Sequence, residues 1–134
     1  MTMYKFAESV IEFQEKILGI PKPEKGLEKP AQVTWLMNAL REEIDEYDDA
    51  VADEDYIGAV DALIDLLYFA IGGLHRMGLS ADDMAICGQI VHRANLRKKK
   101  GIVEKRGDGT VADAVKTEVF VSPEDLMRHY LGVG

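Results

Sequence analysis

The chain has 134 residues, 47% hydrophobic and 30% charged, with a net charge of −8. That length holds one ordinary domain with a core, and the composition excludes disorder. The negative charge excludes a protein whose main task is to coat nucleic acid.

The single cysteine, Cys87, allows no disulfide framework or thiolate cluster within one chain, so a reducing cytoplasm is the expected compartment. The N-terminus, MTMYKFAESV, mixes charge with apolar residues and is not a signal peptide. No apolar run is read as approaching the roughly 20 residues of a spanning helix, and no membrane partner is expected.

From Met3 to about Leu18, Phe6, Val10, Phe13 and Ile17 recur at helical spacing, and Gly19 and Pro21 stop the pattern. Residues 19–31 form a Pro/Gly/Lys loop, long for a helix connection and of the kind that borders binding sites. A second helix is predicted from about Gln32 to Asp53, with Val33, Leu36, Leu40, Ile44, Tyr47 and Val51 as its apolar stripe. Glu43 flanks that stripe, Glu46 and then Glu42 lie further round, and Asp45 and Asp48 face water.

The third helix, about Tyr56 to Met77, is apolar around more than half its circumference, as befits the middle of a bundle or a subunit interface. Gly72 and Gly73 inside it signal a close backbone approach, and Gly78 ends it. Ser80 to Asp83 reads as a capping box for a fourth helix carrying Met84, Cys87, Ile90, Val91 and Ala94. Beyond Lys100, Gly107-Asp108-Gly109 is a turn signal between two short β-capable stretches. Ser122-Pro123 then opens a last short helix to Tyr130. The expectation is one all-α domain over residues 1–134, a four-to-five-helix bundle with a loop or hairpin near the C-terminus.

Two acidic groups organise this chain. Glu43 and Glu46 are three apart on the second helix, and Asp61 and Asp65 are four apart on the third, so each pair shares a face. Asp65 lies between Ile64 and Leu66, in a segment too apolar for a surface. The octet EEIDEYDD alone would be a solvated face, but unpaired buried carboxylates are costly. Either Arg41, Arg76 or Arg93 neutralises them as structural ion pairs, or a divalent cation does, with Mg²⁺ the expected ion and Mn²⁺ its substitute. Glu-x-x-His pairs for a di-iron centre are absent, since Gly72, Gln89 and Leu126 precede His75, His92 and His129. An EF-hand begun at Asp53 fails at Ile57 and Ile64, and zinc lacks a His/Cys cluster.

A second constellation, His92 to Gly101 (HRANLRKKKG), ends the fourth helix. Its charge suits a helix C-terminus or a phosphate patch. His92 and Asn95, three apart, add neutral hydrogen-bonding groups for phosphates or a sugar hydroxyl.

These motifs together resemble the all-α NTP pyrophosphohydrolase superfamily (MazG-like and phosphoribosyl-ATP pyrophosphohydrolase-like proteins). Its Glu-Glu-x-x-Glu signature is matched by Glu42, Glu43 and Glu46, and its second acidic motif by Asp61 to Tyr68. HRANLRKKKG, the Gly-Asp-Gly turn and the GIPKPEKGLEKP loop are similar to one branch. One departure is that Ala62 and Gly58 stand where the family has the Glu of its Glu-x-x-Asp motif, so the pair Asp61/Asp65 must serve instead.

The resemblance implies Mg²⁺-dependent cleavage of a (d)NTP to the monophosphate and pyrophosphate, in nucleotide-pool house-cleaning. Glu43, Glu46, Asp61 and Asp65 would hold the metal, and Glu42 or Glu43 would take the proton of the attacking water. Lys98, Lys100 and Arg93 would neutralise phosphates, Asn95 and His92 would donate hydrogen bonds, and Trp35 would stack on the base or pack in a core. Homodimers or homotetramers are the expected assemblies. The alternatives are a nucleotide binder without catalysis and an acidic helical protein-interaction module.

Overall fold

The computed structural model describes residues 2–105, 111–115 and 122–133, with side chains for 2–98 and 122–133. Helix α1, Met3–Glu12, opens on Thr2, whose side chain accepts from the Lys5 amide at 3.2 Å. It runs into a π-helical turn, Phe13–Ile17, closed by Leu18 N donating to Phe13 O at 3.1 Å. A wide turn of this kind leaves the helical apolar spacing nearly intact, so periodicity does not reveal it. It matters here because Gln14 is carried inward and is buried.

Helix α2 is Pro30–Ala52 and α3 is Tyr56–Arg76, the latter capped by Asp55 Oδ1 accepting from Gly58 N at 2.9 Å. Ser80 and Asp83 form the expected capping box of α4, Ala81–Leu96: Asp83 N donates to Ser80 Oγ at 3.1 Å and Ser80 N to Asp83 Oδ2 at 3.0 Å. Strands β1, Lys99–Lys105, and β2, Val111–Val115, pair antiparallel. The Gly107-Asp108-Gly109 turn between them lies outside the described residues. Helix α5, Pro123–Leu131, begins with Ser122 accepting from Asp125 N at 3.1 Å and ends on Gly132 in the left-handed region. The class is all-α with one short hairpin, as expected.

The chain divides into two compact units, residues 1–84 and 85–134. In the first, α1 and α2 both pack on α3. Its core joins Ala7, Val10, Ile71 and Ala81, with Phe6, Ile11, Leu67, Tyr68 and Met84 packed round them. Phe6 and Phe13 meet the Tyr68 ring edge-on at 5.9 and 5.8 Å.

Helix α2 corrects the sequence reading. The buried face is Ala39, Glu43 and Ala50, while Val33, Ile44, Tyr47 and Val51 of the expected core stripe are exposed. Small residues win that face because α2 and α3 pack backbone-close. Leu36 Cδ2 fills the space a Cβ on Gly73 would need, and Ala50 Cβ is 3.3 Å from where a Gly58 Cβ would be. The same comparison bears out the close approach expected at Gly72 and Gly73.

Helix α3 also corrects the sequence reading of apolar runs. Its 21 residues, with a mean hydropathy of 1.8, are long and apolar enough to cross a membrane by length and composition. Asp61 and Asp65 interrupt the run, which is why the sequence does not read as one continuous apolar stretch. Only 22% of that window is buried within the chain.

Residues 75–78 anchor the loop between α1 and α2. Ile20 O accepts from His75 Nε2 at 2.9 Å, and Gly26 N donates to Met77 O at 3.1 Å. Gly78, at φ +90°, lies so close to Lys25 that a Cβ would fall 2.7 Å from its backbone.

Candidate active site

The carboxylates are placed by the antiparallel seam of α2 and α3. Going down it, Trp35 meets Phe69 at 5.8 Å, Leu36 meets Gly73, and Ala50 meets Gly58. Midway, Glu43, Glu46 and Asp65 bring one carboxylate oxygen each to within 4.8 Å of one another. Glu43 is buried, Asp65 half-buried and Glu46 exposed, so the group sits at the lip of the seam. Ala62, 1% exposed, lies in the seam itself, and an acid there would enter the space beside Glu43.

Asp61 is exposed and stands beside this trio as a hydrogen-bond partner of Asp65. Glu42 is exposed and lies outside the trio. Arg76, offered by the sequence as a structural counter-ion for the acids, is engaged instead with Glu28 and Gln14.

The electrostatics follow from this crowding. Burial pushes the Glu43 carboxyl up to about 7, helped by its hydrogen bond to Glu46 and by the charges of Glu46, Asp65 and Asp61. Burial likewise raises Asp65, with Asp61 and Glu46 adding to it. Glu43 Oε2 is buried with no hydrogen-bond partner among the described residues. Crowded carboxylates with an orphaned buried oxygen fit a hard divalent cation with oxygen ligands, Mg²⁺ or Mn²⁺. A proton shared between Glu43 and Glu46 is the arrangement that remains without one.

Trp35 is half-exposed near the start of α2. His92, Arg93 and Asn95 are exposed on the last turns of α4 and Lys98 is half-buried just after it, all within the second unit. Lys100 falls on β1, and its side chain lies outside the described residues.

Sequence reasoning missed Gln14, Glu28 and His75 altogether, although they are among the most buried polar side chains. Their partners lie 48 to 62 residues away. The only local hint was that His75 and Arg76 suit the C-terminal end of a helix.

The family model described as phosphoribosyl-ATP pyrophosphohydrolase matches residues 10–95, a span that includes all four carboxylates, Trp35 and the start of HRANLRKKKG. No curated protein matches the chain.

Proposed function

Because the chain belongs to the phosphoribosyl-ATP pyrophosphohydrolase family, within the MazG-like all-α superfamily, and is thereby a pyrophosphohydrolase of nucleotide-like substrates, we propose that it cleaves a (d)NTP between the α- and β-phosphates. The products are the (d)NMP and pyrophosphate, and the role is house-cleaning of the nucleotide pool. The observation that carries this reading is the three-carboxylate cluster with the orphaned oxygen of Glu43.

In this reading Glu43, Glu46 and Asp65 hold Mg²⁺, with Asp61 beside them as a fourth carboxylate and Mn²⁺ as a substitute. When bound, the cation supplies charge neutralisation at phosphate oxygens and activation of water. The chain's own residues do the rest. Glu43 gives up the proton it shares with Glu46, and Glu42, exposed one residue earlier, receives the proton of the attacking water. Arg93, Lys98 and Lys100 neutralise outer phosphates, His92 and Asn95 hydrogen-bond to phosphate or sugar, and Trp35 meets the base.

The assembly we propose is a homodimer or homotetramer. Val33, Met37, Ile44, Tyr47 and Val51 recur at alternating four- and three-residue steps on α2, and Val60 and Ile64 continue an apolar face on α3; all are exposed. Alternating four- and three-residue spacing is the pattern by which helices from separate chains interlock, and a second copy is the natural cover. The reducing cytoplasm remains the proposed compartment, on the strength of the lone Cys87.

The test is a panel of NTPs and dNTPs together with phosphoribosyl-ATP, the compound in the family's name, with and without Mg²⁺. Pyrophosphate and orthophosphate are assayed separately, for wild type, Glu46→Gln and Asp65→Asn. Metal-dependent pyrophosphate release, lost in both variants, is the expected result. Inert wild type with every compound would sink the reading.

A further inference from the structure

The largest departure from ordinary helix packing outside the carboxylates is at the other end of the α2–α3 seam. Arg76, in the last turn of α3, has a side chain only 6% exposed and is paired with Glu28, whose side chain is 5% exposed. Its Nε donates to Glu28 Oε1, and its Nη1 donates to Gln14 Oε1 at 3.2 Å. Nη2 is buried with no hydrogen-bond partner among the described residues. What the guanidinium lies against is the indole of Trp35, with Cζ 5.4 Å from the ring centroid. Phe69 supports the same indole from another side at 5.8 Å, nearly perpendicular at 79°.

A buried ion pair is a poor way to gain stability compared with apolar packing of the same volume. Here three segments spend their polar groups on fixing one guanidinium: the π-helical turn through Gln14, the loop through Glu28, and α3 itself. The space for it is reserved by Gly72, where a Cβ would lie 2.9 Å from Gln14 Nε2 and 3.3 Å from Arg76 Nη1. The outcome is a tryptophan held rigidly on two sides yet 49% exposed on the remainder.

That exposed part opens into a cavity of about 410 Å³ lined by Leu18, Ile20, Ala31, Gln32, Trp35 and Arg76. Its size falls in the range of small-ligand sites, and its lining is apolar with an aromatic ring and a side-chain amide. A flat heterocycle suits it: one face on the indole, its edge toward the Gln32 amide. A phosphate does not, because the nearest cation is already committed to Glu28 and Gln14.

We propose that this cavity takes the nucleobase of the substrate, with Trp35 as the stacking surface and Arg76 as the residue that positions it. The assignment rests on the pyrophosphohydrolase reading only for the identity of the ligand as a nucleotide. Arg76 acts through Trp35 and loop residue Glu28, not on the reacting phosphates. Base selectivity in this protein would then be set by the loop wall and Gln32, at a remove from the carboxylates.

Trp35 is the only tryptophan in the chain, so its emission reads this cavity alone. The experiment titrates the full-length protein, in EDTA to prevent turnover, with each common nucleoside monophosphate and triphosphate and, separately, with inorganic tripolyphosphate. Emission is corrected for nucleotide absorbance. Quenching by nucleotides of at least one base, with none by tripolyphosphate, is expected.

Trp35→Leu raises KM for the preferred nucleotide about tenfold, the low end of what one base–aromatic stack is worth, with kcat nearly unchanged. Arg76→Lys keeps a charge for Glu28 but loses the planar stack, and it shows the same KM-dominated change together with a shifted emission maximum. Emission unmoved by every nucleotide, or moved equally by tripolyphosphate, overturns the assignment. Emission that responds to protein dilution but not to nucleotide also overturns it, giving this face to a second copy. Quenching without any metal-dependent pyrophosphate release would leave the cavity standing while the hydrolase reading falls, so the two failures are separable.

Discussion

At one end of the α2–α3 seam, Arg76 is buried and its charge is answered inside the chain by Glu28, with Gln14 and Trp35 completing its surroundings. Further along the same helices Glu43 is 8% exposed, and its neighbours Glu46, Asp65 and Asp61 all carry its own sign. The difference separates two uses of a buried charge. One that finds its counter-ion within the fold holds segments together. One surrounded by like charges, with an oxygen left over, is built to receive something positive from outside.

The widest gap between the two ends should come from isosteric substitutions that remove charge. Glu43→Gln and Asp65→Asn are expected to lower metal-dependent turnover by more than about a hundredfold, beyond what loss of an outer-shell partner of a metal ligand costs. Both should leave the thermal midpoint of the metal-free protein unchanged or higher, because each relieves repulsion. A large drop in that midpoint would mean the acids are structural.

At the other end the expectation reverses. Arg76→Met strands the Glu28 carboxylate and should cost about 3–5 kcal/mol in denaturant unfolding. Adding Glu28→Gln to it should recover part of that loss. If the double variant is no more stable than the single, Arg76 and Glu28 are not coupled.

A third effect is in pH. The Glu43 carboxyl titrates near 7 in the folded protein, against 4.5 ordinarily. The folded state therefore holds a proton that the unfolded state has lost between those values, and metal-free stability falls as pH rises through that window. The fall should total about 2–3 kcal/mol, be absent in Glu43→Gln, and vanish when Mg²⁺ takes the proton's place. Metal binding should correspondingly tighten as pH rises toward 7 and release a proton, measurable by calorimetry in buffers of different ionisation enthalpy.

The smallest expected effect tests the loop anchor. Gly78→Ala places a Cβ against the Lys25 backbone at a left-handed φ and should cost about 1–2 kcal/mol. By loosening the loop it should change Trp35 emission more than it changes activity at saturating nucleotide.

The sequence was most legible where structure is local. The Ser80/Asp83 box, the Ser122 cap, the Asp61/Asp65 spacing and the pairing of Glu43 with Glu46 all depend on residues three or four apart, and each appears as expected. It was misleading on α2, where periodicity marks the apolar stripe but cannot say what that stripe faces. Within this chain the stripe is left outside, and the small residues Ala39 and Ala50 with Glu43 go in. Nothing in the neighbourhood of Gln14 or Glu28 announces Arg76, because that cluster joins positions far apart in the chain.

Local spacing and charge thus determined the helices, their caps and the carboxylate motif, since those are set by 3.6-residue geometry and short-range hydrogen bonds. Only the tertiary structure decided which face of α2 meets α3, that Asp65 completes the trio while Asp61 stands beside it, and that Arg76 turns toward the loop and Trp35. Those outcomes turn on how closely two backbones approach and on which distant group can compensate a buried charge, and neither is written in any one stretch of the chain.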